Sequence, residues 1–250
     1  MDLSSPADLN QLAGDRYHRF HRMGDLSALR EAVALLRRAV GQTPPGDGER
    51  VKYLSNLAGA LRDLYLYEGD VDALAEAVET GRQVMDLTPP SHPLRARRLS
   101  EHAGTLGLLA KHRQDVAGLR AAAALGEEAV AAAAPDDPGL SGYLDYLCNT
   151  LQNLYQLAPD SGGLAKLVER RRKAVALTPP GHPERPARLS NLGDSLRMVY
   201  ERTGDRPALQ EAARLGRQAV ASAPASGTAR RVAERSLEVT LRALAGVEDG

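Results

Sequence analysis

Residues 43–90 read TPPGDGERVKYLSNLAGALRDLYLYEGDVDALAEAVETGRQVMDLTPP, and the tripeptide that opens the stretch returns at its end, 45 residues later. Outward from this stretch the same landmarks recur in step. Thr-Pro-Pro stands again at Thr178-Pro179-Pro180. The pair Gly69-Asp70 has counterparts at Gly24-Asp25, Gln114-Asp115, Pro159-Asp160 and Gly204-Asp205, each 45 residues from the next. Leu54-Ser55-Asn56-Leu57 returns as Leu189-Ser190-Asn191-Leu192, three periods on. Unrelated markers that share one period identify a tandem repeat.

Within residues 43–90 the apolar spacing describes two helices. Leu54, Leu57, Leu61, Leu64 and Tyr65 fall at intervals of three and four, one face of a helix over residues 50–68. Gly69 suits a left-handed helix end, where a Cβ is costly. Asp70 suits an N-cap, its carboxylate accepting from free N–H groups of the next turn. A second helix over residues 71–87 turns Leu74, Ala77, Val78, Val84 and Met85 inward. Thr88-Pro89-Pro90 stops it, since proline has no N–H and restricts the residue before it. Pro93 is placed in the first turn of the following helix. So short a turn folds the helices (A, then B) into an antiparallel hairpin. One hairpin cannot bury its own apolar face, so the array is held by contacts between neighbours.

Composition agrees. The chain contains no Ile and no Trp, and Phe20 is its only Phe, so Leu, Val and Ala fill the interior and sheets are disfavoured. The formal net charge is zero, which argues against nucleic acid and against anionic membranes as partners. Cys148 is the only cysteine, so no intramolecular disulfide is expected. The N-terminus MDLSSPADLNQLAGD has no leader pattern, and no apolar run reaches the ~20 residues of a membrane span. A cytoplasmic protein is expected. The preference for Arg over Lys, with many Ala, Gly and Pro, suggests a GC-rich genome.

The stretch Asn191-Leu192-Gly193 … Gly204-Asp205 … Glu211-Ala212-Ala213 … Ala219 … Pro224 resembles a tetratricopeptide (TPR) repeat, lengthened by about one turn in each helix and by a longer loop. The small helix-A position of that motif falls on Ala13, Ala58, Ala103, Cys148 and Gly193. The next packing position falls on Leu61, Leu106, Leu151 and Leu196. The helix-B alanine falls on Ala32, Ala77, Ala122 and Ala212, with Leu167 the exception. The lengthened form, with its TPPGHP linker (residues 178–183), also resembles the arrays of bacterial CHAT-domain proteins. The resemblance implies an all-α, right-handed α-solenoid of about 11 helices forming one domain over residues 1–250. Five A/B repeats span about 6–227, and a capping helix over about 228–245 carries Leu237 and Leu241 in register.

No persuasive catalytic constellation is present: there is no Gly-rich phosphate loop, no H-E-x-x-H and no G-x-S-x-G. Cys148 lies at a packing position and reads as an inert thiol. Asp15, His18 and His21 share a helix face, read as solvated rather than metal-binding. His92 and His182, two periods apart, read as turn residues. No catalytic role, cofactor or metal is expected.

A groove is the better candidate. The resemblance implies that A helices line a concave face. The ligand-facing Asn position falls on Gln11, Asn56, Glu101, Tyr146 and Asn191, with Lys52 and Arg97 one turn earlier and Arg62, Gln152, Asp194 and Arg197 later. The expected binding set is Lys52, Asn56, Arg62, Arg97, Glu101, Tyr146, Asn191 and Arg197. Asn offers a donor and an acceptor to a peptide backbone, and Arg pairs a carboxylate bidentately. Glu101 and Tyr146 interrupt the carboxylate-clamp set known in the family. The expected partner is a protein or peptide held by a non-catalytic scaffold. A ligand-sensing regulatory array and an enzyme built on the repeats are the alternatives.

Overall fold

The computed structural model describes residues 5–248, which form eleven α-helices and no strand. They are α1 (Pro6–Met23), α2 (Leu26–Gln42), α3 (Arg50–Glu68), α4 (Val71–Asp86), α5 (Arg95–His112), α6 (Val116–Ala132), α7 (Leu140–Leu157), α8 (Ser161–Ala176), α9 (Arg185–Thr203), α10 (Arg206–Ser222) and α11 (Thr228–Glu248). Odd-numbered helices are the A helices and even-numbered ones the B helices. No described helix is long and apolar enough to cross a membrane.

The A–B turn has the expected chemistry in three repeats. Gly24, Gly69 and Gly204 sit at φ 69°, 75° and 72°, and their N–H groups close onto Phe20, Tyr65 and Tyr200 carbonyls. Asp25, Asp70 and Asp205 then cap the B helix, accepting from backbone N–H groups of its first turn. In the third repeat Gln114 takes the left-handed role at φ 52°. In the fourth, α7 ends at Leu157, and Asp160 makes no side-chain cap.

The linkers carry a repeated latch. Thr43, Thr88 and Thr178 each donate their hydroxyl to the carbonyl four residues back, at 2.6–2.7 Å. Seven residues on, Arg50, Arg95 and Arg185 donate to the carbonyl of that threonine. Three further on, Arg98 and Arg188 donate to the hydroxyls of Thr88 and Thr178. These bonds satisfy the carbonyls that a helix C-terminus leaves without partners. Asp47, His92, Asp137 and His182 hold equivalent linker positions, and each accepts from the backbone N–H two residues ahead. The two histidines are thus turn residues, as their spacing implied. Pro93 differs from expectation: it lies in the turn before α5, because that turn uses the His92 ring as its acceptor and delays the helix to Arg95.

The chain divides into two compact blocks, Met1–Ala132 and Ala133–Gly250. The division falls at the linker where Ala133, Leu140 and Tyr143 replace the Thr/Arg/Arg latch. In the first block, successive helices from α1 to α6 pack on one another; in the second, α7 to α11 do the same, with α11 also on α9. The core of the first block gathers Phe20, Leu29, Leu36, Leu57, Leu61 and Leu64. That of the second gathers Leu189, Leu192, Leu196, Leu215 and Ala233.

Several packing assignments shift. Ala58 and Leu106 are half-buried rather than buried. Phe20 and its counterparts at 45-residue steps, Tyr65, Tyr155 and Tyr200, differ in burial: Phe20 is core and the three tyrosines are half-buried, since a phenol keeps its hydroxyl near water. In α11, Ala233 and Thr240 are buried and Leu237 half-buried, but Leu241 is exposed, because no B helix covers that side among the described residues.

Candidate functional site

In the first block, α1, α3 and α5 enclose a cavity of about 420 Å³, with α2 and α4 behind it. Its wall on α1 includes Asn10 and His18; on α3, Ser55, Asn56, Gly59 and Arg62; on α5, Arg97, Arg98, Glu101 and His102. Four residues of the expected binding set therefore meet on one cavity: Asn56, Arg62, Arg97 and Glu101. The volume lies within the usual range of ligand sites.

The polar groups are partly organised among themselves. Asn56 donates to Asn10 at 2.8 Å, bridging α3 and α1. Arg97 donates to Glu101 at 2.9 Å, one turn along α5. Below the wall, Tyr17 donates to Asp63 at 2.5 Å, tying α1 to α3. Arg62 lies 3.8 Å from the same carboxyl group. The lining carries three arginines and a single carboxylate, Glu101, in a chain whose formal charge is zero.

His102 occupies a position that is Leu57, Leu147 and Leu192 in other repeats. The difference follows from Gly81 on α4: a Cβ there would stand 2.6 Å from His102 Nδ1, so the imidazole fills the hollow that glycine leaves. That nitrogen is buried and has no hydrogen-bond partner. Burial, and then the Arg82 charge, hold His102 below its ordinary pKa, against the weaker pull of Asp86 and Glu79. A base depressed in the fold contributes stability above its unfolded pKa and loses it as pH falls through the folded value. Acidification from pH 7 to 5 is therefore expected to narrow any stability advantage of the wild type over His102→Leu, or widen a deficit. Thermal melts of the pair at both pH values check this; a difference constant with pH would contradict it.

The remaining expected residues lie elsewhere. Lys52 is exposed, pairs with Glu49 at 3.1 Å and sits 5.9 Å from the Tyr53 ring centre. Gln11 is exposed, and its neighbour Asn10 faces the cavity instead. Tyr146, Asn191 and Arg197 belong to the second block. Tyr146 is exposed; Asn191 and Arg197 are half-buried, and Arg197 pairs with Glu201 and lies 3.7 Å from Asp194. His18 reaches the cavity while His21 lies 3.8 Å from Asp63. Among the described residues no three His, Cys, Asp or Glu side chains converge as metal ligands.

The second block holds a charged cluster that sequence reasoning missed. Arg171 on α8 is 1% exposed and is the largest fully buried side chain. It donates to Asn149 at 2.8 Å and Gln152 at 3.1 Å, and stands 3.9 Å from Asp145. Arg188 donates to Asp145 at 2.6 Å and to Thr178 at 2.5 Å. Burial outweighs both guanidiniums and holds the Asp145 carboxyl above the usual carboxylate range. The signal was available: Arg171 interrupts a helix-B position that is Gly81, Gly126 and Gly216 in three other repeats and Leu36 in the first.

No family model and no curated protein matches the sequence. Solved structures do. The nearly identical TPR-like repeats of a kinesin light chain-type protein of Podosopora anserina align with 87% of this chain and 96% of their own, at 23% identity and a TM-score of 0.58. A single-substitution form of the same repeats gives 23% identity and a TM-score of 0.59, over 88% and 96% of the two chains. A thermophilic TPR protein of Thermus thermophilus aligns at 18% identity and a TM-score of 0.47, over 93% and 99%. The fold is TPR-like.

Proposed function

We propose that this chain is a non-catalytic scaffold that holds a protein or peptide segment against the inner face of α1, α3 and α5. The observation that carries the reading is the convergence of Asn56, Arg62, Arg97 and Glu101 on one open cavity. Its walls are rigid helices, so the polar groups are set before a partner arrives. Amide groups at Asn10 and Asn56 supply both donors and acceptors, the pattern that suits an extended main chain. TPR-like folds are commonly interaction scaffolds, which supports the reading without supplying a partner.

The test is a pulldown from the native organism with the wild type and with the Asn56→Ala/Arg97→Ala double variant. Partner retention is expected to fall about tenfold or more, the loss of one or two interface anchors. Equal retention by both proteins removes the cavity from the function.

A further inference from the structure

Two stretches of the chain, two periods apart, solve the same packing problem in opposite ways. Around α7, α8 and α9, the space between A helices is filled by Arg171, with Asp145, Asn149 and Gln152 on α7 and Arg188 on α9. Counting back 90 residues, the equivalent positions are Gly81, Ser55, Gly59, Arg62 and Arg98. All five line the cavity of the first block. The cavity is thus the space that the second block plugs with its own charged side chains.

One member of the plug stays behind. Arg98 is held as Arg188 is, its Nη1 donating to the hydroxyl of the linker threonine at 2.9 Å. Arg188 also has a carboxylate, Asp145, at 2.6 Å. Arg98 has no carboxylate at ion-pair distance among the described residues, only the longer-range pull of Glu101, because Ser55 stands where Asp145 would, and Ser55 turns its hydroxyl back onto the Val51 carbonyl. Arg98 is nevertheless only 9% exposed. A guanidinium this buried is normally paired. Arg62 replaces neutral Gln152 and adds a second cation to the wall. Glu101, the only carboxylate there, is engaged by Arg97.

We propose that the cavity is a receptor for a carboxylate group of the partner, which takes over Arg98 the place that Asp145 takes over Arg188. The ligand group enters over Ser55 and Gly59, beside the His102 imidazole that covers Gly81, and completes the pair that the second block makes internally. The proposal deepens the scaffold reading, and rests on it for the carboxylate being borne by a protein segment.

The internal template supplies the test. Ser55→Asp installs the second block's own carboxylate, whereas Ser55→Asn has the same size and no charge. The probes are immobilised peptides, acetylated and amidated at their ends, with a central Asp or Glu, compared with matched Asn and Gln sets. Free succinate, read by its effect on thermal unfolding, is the small-molecule arm. The wild type and Ser55→Asn are expected to retain the acidic sets over the neutral ones. Ser55→Asp is expected to lose that preference, by about thirtyfold or more in affinity, with its melting midpoint undiminished. Acidic and neutral peptides retained equally, or retention unaffected by Ser55→Asp, overturn the carboxylate receptor and leave the scaffold reading standing. No peptide retained, but a succinate shift in wild type and Ser55→Asn that Ser55→Asp lacks, keeps the receptor and removes the protein segment. Neither peptide retention nor a succinate shift removes both.

Discussion

Arg171→Ala is expected to lower the stability of the second block by about 2–5 kcal/mol, the range for truncating a large buried side chain. The substitution empties the space between α7, α8 and α9 and withdraws the donor that serves Asn149 and Gln152. Asp145 keeps Arg188, so no bare carboxylate is left to deepen the loss. Arg171→Met is the informative companion. It keeps most of the volume and removes a charge whose burial the site only partly compensates: Nε and Nη1 of Arg171 and Oδ1 of Asp145 have no hydrogen-bond partner. Burial likewise pulls the guanidinium below its usual pKa. Exchanging such a charge for a well-packed apolar chain is often neutral or stabilising. Arg171→Met is therefore expected within about 1 kcal/mol of wild type, or above it. Urea denaturation of the three proteins decides. Equal losses in Ala and Met variants would mean that the guanidinium's hydrogen bonds, not its bulk, hold the helices together.

Phe20→Ala is expected to cost the first block about 3–5 kcal/mol. Phe20 is 2% exposed and is the only phenylalanine in the chain. Its ring meets Tyr67 edge-on at 4.8 Å and lies 4.9 Å from the His21 ring, so one truncation strips contacts from both α1 and α3. The Gly24 turn that follows closes on the backbone carbonyl of residue 20, a bond that the substitution leaves in place. Hydrogen exchange should show faster opening at the amides of α1 to α3. Unchanged protection there, with a lowered midpoint elsewhere, would contradict the assignment of this ring to the first core.

What the residues disclosed in advance follows from periodicity. A 45-residue recurrence of Gly-Asp at three turns and Thr-Pro-Pro at three linkers sets the register of the hairpins, because helix stops and caps are local chemistry. The helix ends at Glu68 and Gly69, and the His92 and His182 turns, are therefore readable from the chain alone. Half of the expected binding set meets on the cavity for the same reason: one register places Asn56 and Glu101 on successive A helices. What resisted reading were the exceptions to the repeat. Gly81, Ser55 and Gly59 are unremarkable residues, and only comparison with Arg171, Asp145 and Asn149 shows that they vacate a volume. Nothing in the sequence marks Arg98; its importance lies in an ion-pair partner, Asp145, that its counterpart Arg188 has and it lacks.

The glycine-for-arginine difference between α4 and α8 has an evolutionary corollary. Glycine and arginine codons are joined by a single base change, but the strut also needs Asp145, Asn149 and Gln152 where the hollow has Ser55, Gly59 and Arg62, so a duplicated hairpin passes from one to the other by several substitutions. The cavity lined by Gly81, Ser55 and Gly59 and the strut at Arg171 then read as two versions of one repeated module.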